Sequence, residues 1–105
     1  MNDQNLSHAV YFTLKDSSGA AIEDLVEECY TYLKDHPGVM YFSAGGRVPE
    51  LNRDVNITDF QVGFQVVFSN KIYHDQYQVA NEHKVFIDRN KDKWAQVRVF
   101  DTYVR

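Results

Sequence analysis

Apolar and polar residues alternate along several stretches of the chain, the pattern that predicts β-strands. The clearest stretch is Asp59–Phe68, where apolar side chains stand at every second position from Phe60 onwards. His8–Leu14 alternates in the same way, and Trp94–Tyr103 closes the chain as a further strand. Val39–Val48 is another strand candidate, which ends near two glycines. The pattern therefore predicts four strands.

Helical spacing separates these strands. Between Ile22 and Leu33, apolar residues recur every three or four positions and acidic residues face outward. His36–Gly38 ends this helix, because the proline cannot continue the hydrogen-bond ladder. Ser69 or Asn70 can cap a second helix that runs to about residue 80, and a further helical piece follows over about 82–90.

The order β-α-β-β-α-β predicts an α+β, ferredoxin-like fold, with one four-stranded antiparallel sheet and the helices on one of its faces. A chain of 105 residues fits a single domain, residues 1–105. Tyr11, Phe100 and Tyr41 fall on faces that the helices do not reach. A second copy is the simplest cover, so we expect a C2 homodimer through the sheet face. A monomer with ordinary exposed aromatics is the alternative.

Composition narrows the class of protein. The net charge is −4 and the 11 lysines and arginines form no basic stripe, which argues against nucleic acid as a partner. The single cysteine, Cys29, cannot form an internal disulfide, and it lies on the apolar stripe of the first helix, which favours a place in the core. The polar start, Met1–Ser7, lacks the apolar stretch of a signal peptide, and no run approaches a membrane span of about 20 residues. We therefore expect a cytoplasmic protein with no membrane partner.

Four polar side chains are candidates for chemistry. His8 opens the first strand in phase with its apolar residues, and Tyr77 and His83 bracket the break in the second helical region. Asp101 lies late in the last strand, in phase with apolar neighbours, where an unpaired carboxylate would be costly. His83 is the expected partner of Asp101, because a carboxylate that accepts from one ring nitrogen leaves the other as a base.

Structural roles are the alternative for each candidate. A buried His–Asp hydrogen bond can simply lock a helix to a strand, Tyr77 can be a core aromatic, and His8 can be a strand-end residue in water. His36, before a proline, and His74, on an expected exposed helix face, are interpreted as structural. The sequence has no spacing typical of a zinc site, no phosphate-cradling glycine loop and no serine elbow, so we expect no metal and no cofactor.

The same residues resemble the stress-responsive A/B barrel (Dabb) domain family. The resemblance covers nearly the whole chain and lies in four places: His8–Lys15, Pro37–Val39, Tyr77–His83 with Phe86, and Val99–Asp101. It implies a ferredoxin-like fold and a dimer whose two sheets form an α/β barrel. Most members of this family have no established reaction.

One branch of the family, the plant polyketide cyclases, works without a metal or an organic cofactor and is similar to this chain at its acid–base positions. The resemblance implies catalytic roles for Tyr77 and His83, with Asp101 orienting His83. It also implies three residues of a ligand pocket: His8, Tyr30 and Trp94.

The chain departs from that branch where a substrate would sit. A pocket histidine of the third strand corresponds to Val62, and two glycines that leave room for an alkyl chain correspond to Val85 and Ile87. The larger side chains are expected to shrink or close the pocket, which argues against the substrate of the cyclases and leaves turnover open.

Two functions stay open at this point. The first, favoured by the filled pocket, is a dimeric module that binds a small molecule or a partner, or acts through its stability under stress. The second is a cofactor-free acid–base enzyme on a carbonyl-rich small molecule, in which His83 is the base and Tyr77 stabilises an enolate. Related ferredoxin-like dimers that act as monooxygenases or degrade haem share the element order, but the spacing of Tyr77, His83 and Asp101 fits the A/B barrel family better.

Overall fold

The computed structural model describes residues 4–105, so the first three residues of the predicted domain and of its polar start lie outside the described residues. Its helices and strands follow in the order β1 (Asn5–Leu14), α1 (Gly19–Leu33), β2 (Val39–Gly46), β3 (Val62–Phe68), α2 (Lys71–Gln78), α3 (Asn81–Asn90) and β4 (Trp94–Val104), with a short 3-10 turn (Lys91–Lys93) before β4.

The four strands form one antiparallel sheet in the order β2-β3-β1-β4. β1 is central and pairs with β3 on one side and β4 on the other, which leaves β2 and β4 as edges. The sheet and its helices confirm the predicted α+β fold. The second helical region is divided into α2 and α3, as the spacing predicts.

The core lies between the helices and one face of the sheet. Alternate residues of β1 and β3 point into it, and α1 contributes Leu25, Cys29 and Leu33. Burying each large apolar side chain contributes about 1.5–3 kcal/mol. The core position predicted for Cys29 is confirmed, and burial raises the pKa of its thiol to about 12, so the thiol stays protonated. The buried apolar residues are Leu6, Val10, Phe12, Leu14, Leu25, Cys29, Leu33, Val62, Phe64, Val66, Phe68, Tyr77 and Phe86.

The third strand begins later than the alternation predicts. β3 starts at Val62 rather than at position 59. Directly before it, the Gln61 backbone N–H donates to the Phe12 carbonyl at 2.9 Å, and the Gln61 side-chain oxygen accepts from the Leu14 backbone N–H at 2.7 Å. Phe60, predicted in phase with the core, instead packs on Tyr11 at 5.0 Å between ring centroids. Tyr11 lies on the opposite face of the sheet from the core, so the Phe60 ring lies on that face as well.

Polar side chains fix the starts of two helices. Ser18 Oγ accepts from the Ala21 N–H at 3.2 Å at the start of α1, and Asn70 Oδ1 accepts from the Tyr73 N–H at 3.2 Å at the start of α2. The cap at Asn70 is one of the two residues that the sequence predicts for the start of the second helix. Gly38 follows α1 with φ +82°, and a Cβ there would overlap the Tyr73 ring, so this turn requires glycine.

A buried amide joins α3 to α1. Asn90 is fully buried, and its Nδ2 donates to Glu28 Oε1 at 3.2 Å and to the Phe86 carbonyl at 2.9 Å. Arg89 Nε donates to the same Glu28 oxygen at 2.7 Å, and Lys93 Nζ donates to Asn90 Oδ1 at 3.1 Å. Because the buried polar side-chain atoms of Asn90 have partners, this network holds α3 against α1.

The other face of the sheet carries aromatic side chains without helices above it. Tyr11 contacts Phe60 and Phe100, with 5.9 Å between the Tyr11 and Phe100 ring centroids, and Phe100 is 57% exposed. A Cβ on Gly63 would lie 2.8 Å from the Tyr11 ring, so the glycine lets that ring lie on the strand. In the described part of the chain, no helix has the length and apolar character needed to cross a membrane.

Candidate functional site

A cavity of about 190 Å³ lies between the helices and the inner face of the sheet. It is lined mainly by apolar side chains, with three ionisable residues among them: His8, Tyr77 and His83. Val97 and Val99 of the edge strand β4 line it as well, and they are 40% and 49% exposed, so the cavity opens to solvent along that edge. The full lining consists of His8, Val10, Phe12, Leu33, Phe64, Tyr77, Gln78, His83, Phe86, Ile87, Trp94, Val97 and Val99.

Asp101 pairs with His8, not with His83 as predicted. The β1–β4 register places His8 directly opposite Asp101, and their Nδ1 and Oδ1 atoms are 2.5 Å apart. Opposed residues on one face of an antiparallel pair have Cβ atoms about 4.5–5.5 Å apart, which is close enough for this bond. An ionised carboxylate only accepts, so Nδ1 of His8 donates the proton and Nε2 keeps its lone pair.

The surroundings of His8 have opposing effects on its pKa. Burial, the largest effect, lowers the pKa of His8, and the imidazole of His74 lowers it further. The hydrogen bond to Asp101 and the negative charge of that carboxylate oppose the shift. The Asp101 side chain is 46% exposed, so the pair joins a buried imidazole to a carboxylate that water reaches. Of the two, His8 lines the cavity.

Tyr77 and His83 meet across the break between α2 and α3. Their ring centroids are 4.7 Å apart, and Tyr77 also contacts the His8 ring at 5.8 Å. Burial raises the pKa of the Tyr77 hydroxyl far above its ordinary value, so it stays a neutral donor. Burial, followed by the charges of neighbouring imidazoles, lowers the pKa of His83 to about 4. At neutral pH the site therefore holds an uncharged imidazole beside an uncharged phenol.

Three lining side chains carry buried polar atoms that have no hydrogen-bond partner among residues 4–105. These atoms are Tyr77 Oη, His83 Nδ1 and Trp94 Nε1. Trp94 is held in place by Phe12, with 4.8 Å between the ring centroids, so its indole is fixed at the cavity wall. A buried polar atom without a partner costs about 1–3 kcal/mol, and such groups are rare in folded proteins. Their grouping around one cavity marks it as the candidate site.

Tyr30 does not line this cavity, contrary to the expectation. Its hydroxyl accepts from the Ala44 N–H at 3.3 Å, and its ring packs on Phe42 at 5.3 Å, so Tyr30 contacts the edge strand β2 instead. Val62 and Val85 are absent from the described lining too, and only Ile87 of the predicted filling residues forms part of the wall. The cavity is therefore small but not closed.

His74 is less exposed and more central than the sequence indicates. Its side chain is only 16% exposed, and its ring lies 5.1 Å from that of His8. His74 and Tyr77 are three residues apart on α2 and so share a helix face, which is the signal that could have placed His74 beside the site. His36 fits its structural interpretation, since its Nε2 donates to the Tyr32 carbonyl at 3.0 Å.

His8, His74 and Asp101 also converge in a way that sequence spacing does not show. Each offers one ligand atom, and the three atoms lie within 4.8 Å of one another. The residues come from β1, α2 and β4, so no short motif contains them. The expectation of no metal site was drawn from short spacings alone.

A four-stranded antiparallel sheet covered on one face by helices, with a cavity between the two layers, defines this chain as a ferredoxin-like α+β protein. The sequence model of the stress responsive A/B barrel domain matches residues 6–104. The chain therefore belongs to the Dabb family. A comparison with curated proteins finds no match.

Solved structures confirm the fold. A Dabb family protein with a ferredoxin-like fold from Mesorhizobium loti has a TM-score of 0.79 and 21% identity, with 97% of this chain and 98% of that chain covered. A dimeric ferredoxin-like protein of unknown function from Thermobifida fusca has a TM-score of 0.78 and 10% identity, covering 99% and 94%. Hydroxynitrile lyase from Passiflora edulis has a TM-score of 0.78 and 12% identity, covering 99% and 96%.

The lowered pKa of His83 predicts a pH dependence of stability. Unfolded, this histidine takes up a proton near its ordinary pKa of about 6.5, whereas the folded chain binds that proton only near pH 4. The free energy of unfolding should therefore fall as the pH is lowered from about 6.5 to about 4. The contribution of His83 is about 1–3 kcal/mol, because the residue is only partly buried.

Urea unfolding at half-unit pH steps measures this effect, and His83→Gln is the informative variant. The other groups that titrate in the window are present in both proteins, so the difference between the two curves reports His83 together with its coupling to the neighbouring imidazoles. The variant should lose less stability on acidification than the wild type. Parallel curves for the two proteins would contradict the assignment.

Proposed function

We propose that this protein binds a small single-ring molecule with oxygen substituents in the cavity between its sheet and helices. The observation that carries the proposal is the set of three partnerless polar atoms on Tyr77, His83 and Trp94 within an otherwise apolar lining. A ligand that hydrogen-bonds to them removes the cost of their burial, and the apolar lining binds its ring.

The size of the cavity limits the ligand. A cavity of about 150 Å³ accommodates benzene, whereas drug-sized ligands occupy pockets of about 300–1,000 Å³. At about 190 Å³ this cavity fits one substituted ring and excludes a long alkyl chain. Ile87 contributes to this limit as part of the wall.

The polar groups limit the chemistry of the ligand. The indole N–H of Trp94 can only donate a hydrogen bond. Burial raises the pKa of Tyr77, so its hydroxyl keeps its proton and can donate it in a hydrogen bond. Neutral His83 can donate or accept at Nδ1 according to its tautomer. Carbonyl and hydroxyl oxygens match this set, while a cation finds too few acceptors here.

Binding is tested by titrating monocyclic aromatic aldehydes, ketones and phenols into the ¹⁵N-labelled protein and following amide shifts. Saturable shifts should be centred on the lining of α2, α3 and β4. Tyr77→Phe should weaken binding by about 3–10-fold, the value of one hydrogen bond. Val99→Trp should abolish it, because the indole enters the open side of the cavity.

Ile72→Trp is the matched control, since Ile72 is an exposed apolar residue of α2 that does not line the cavity. It should bind the same compounds as the wild type. The proposal fails if no compound saturates, or if Val99→Trp and Ile72→Trp bind equally well.

A second candidate function is acid–base catalysis, and the His8–Asp101 pair favours it. With Nδ1 donating to Asp101, Nε2 of His8 is left to accept a proton from a carbon next to a carbonyl. Tyr77 can then donate to the enolate oxygen. We therefore propose His8 rather than His83 as the base, because the Asp101 carboxylate is hydrogen-bonded to His8. Hydroxynitrile lyase shares the fold at 12% identity, which supports only the view that this fold accommodates an enzyme.

Exchange of the methyl protons of acetophenone for deuterium in D₂O tests this candidate without knowledge of the substrate. The wild type should accelerate the exchange, and Asp101→Asn should reduce the acceleration by about 100-fold or more while binding changes by less than about threefold. Asp88→Asn, on an exposed carboxylate of α3, is the control and should exchange like the wild type. Exchange no faster than in buffer would remove this candidate.

We also propose that two copies pair through the open face of the sheet. Tyr11, Phe60 and Phe100 form an aromatic cluster on that face, beside a concavity of about 500 Å³ that is also lined by apolar residues of the β2–β3 connection. Fold relatives are described as dimeric, which supports a homodimer here. Covering this face would bury surface that a chain of 105 residues cannot cover alone.

Phe100→Asp should convert the dimer to a monomer, because a charge would be buried at the centre of the proposed interface. Multi-angle light scattering after size exclusion measures the mass. Ile72→Asp places the same charge on the helical layer and should leave the dimer intact. A monomeric wild type, or a dimer that survives Phe100→Asp, would overturn the proposed interface.

A further inference from the structure

Two imidazoles and one carboxylate converge beside the cavity. His8, His74 and Asp101 each offer one ligand atom, and the three atoms lie within 4.8 Å of one another. Three separate elements supply them, with His8 on the central strand β1, His74 on α2 and Asp101 on the edge strand β4. The convergence is therefore a property of the tertiary fold.

The donor set selects a class of cation. Two histidine nitrogens with one carboxylate oxygen suit Zn²⁺ and neighbouring first-row ions, whereas Mg²⁺ and Ca²⁺ prefer oxygen ligands alone. Three protein ligands leave a coordination position free, as in zinc sites that bind water or a substrate.

The surroundings orient one of these ligands in the manner of known metal sites. His74 Nδ1 lies 3.0 Å from Asp75 Oδ1, so it donates to that carboxylate and Nε2 is left for a metal. Metal-binding histidines commonly donate their second ring nitrogen to a carboxylate in this way. Lys71 Nζ holds the other oxygen of Asp75 at 2.8 Å, which fixes the carboxylate in turn.

The ligands need only local movement to take up a cation. Tetrahedral ligands with bonds of about 2.1 Å stand about 3.4 Å apart. The His8 and Asp101 atoms must therefore separate from 2.5 Å, and the cation takes the place of the proton between them. Asp101 lies on an edge strand with its side chain 46% exposed, so this carboxylate can adjust without disturbing the core, whereas His74 is only 16% exposed and is held against Phe68 with 5.8 Å between the ring centroids.

We propose that His8, His74 and Asp101 form a binding site for a divalent transition-metal ion of the Zn²⁺ class. The site lies beside the ligand cavity and shares only His8 with it, so Tyr77, His83 and Trp94 are not metal ligands. A bound cation would use only His8 of the cavity lining and would leave the polar groups of Tyr77, His83 and Trp94 free for a ligand.

Competition for Zn²⁺ between the tag-free protein and a chromophoric chelator tests the site. The wild type should bind one equivalent, and His74→Gln and Asp101→Asn should each weaken binding by more than about 100-fold, beyond the effect typical of an outer-shell change. His83→Gln and Asp88→Asn remove a nearby imidazole and a surface carboxylate outside the set, and both should bind like the wild type.

Histidine ring resonances give an independent measurement on the unaltered protein. Zn²⁺ should shift the His8 and His74 rings and leave His36 unchanged. The proposal is overturned if the wild type does not bind Zn²⁺, if His74→Gln binds as tightly as the wild type, or if the shifts fall on His36 or His83 instead. None of these outcomes bears on whether the cavity binds a ring compound, which is measured without metal.

Discussion

Because β1 and β4 pair in a single register, His8 lies opposite Asp101, and the valines that line the cavity mouth, Val97 and Val99, lie opposite core residues of β1. Side chains alternate between the faces of a sheet, so a slip of one residue would carry Asp101 and both valines to the other face. The register thus determines the polar pair, the apolar wall and the opening of the cavity together. Without it the helices would cover a different set of side chains.

The strands, the helices and most of their ends follow from local pattern, since alternation and capping are properties of neighbouring residues. The partner of Asp101 is not local, because both His8 and His83 satisfy the requirement for an imidazole and only the register decides between them. Phe60 shows the same limit: its phase predicts the core, but it lies before the start of β3 and its ring packs on Tyr11 on the other face of the sheet. The position of His74 beside the site could have been predicted, because it is three residues from Tyr77 on the same helix.

The polar groups of the cavity lower the folding stability of this small domain. Three partnerless buried polar atoms at about 1–3 kcal/mol each are a large fraction of a net stability of about 5–15 kcal/mol. Core packing by β1, β3 and α1, together with the satisfied amide network of Asn90, offsets that cost. Three of the four such atoms among the described residues lie at this cavity, the fourth being Arg47 Nη1, and such a grouping is typical of a site kept for binding or chemistry.

The open side of the cavity belongs to an edge strand rather than to the core. Val97 and Val99 are about half exposed, while the opposite walls include fully buried residues such as Leu33. Substitutions at the two valines therefore change the shape of the opening at small cost to folding, since surface changes are usually within about 0.5 kcal/mol. The opening of the cavity and the packing of the core can therefore be altered by substitutions at different positions of this chain.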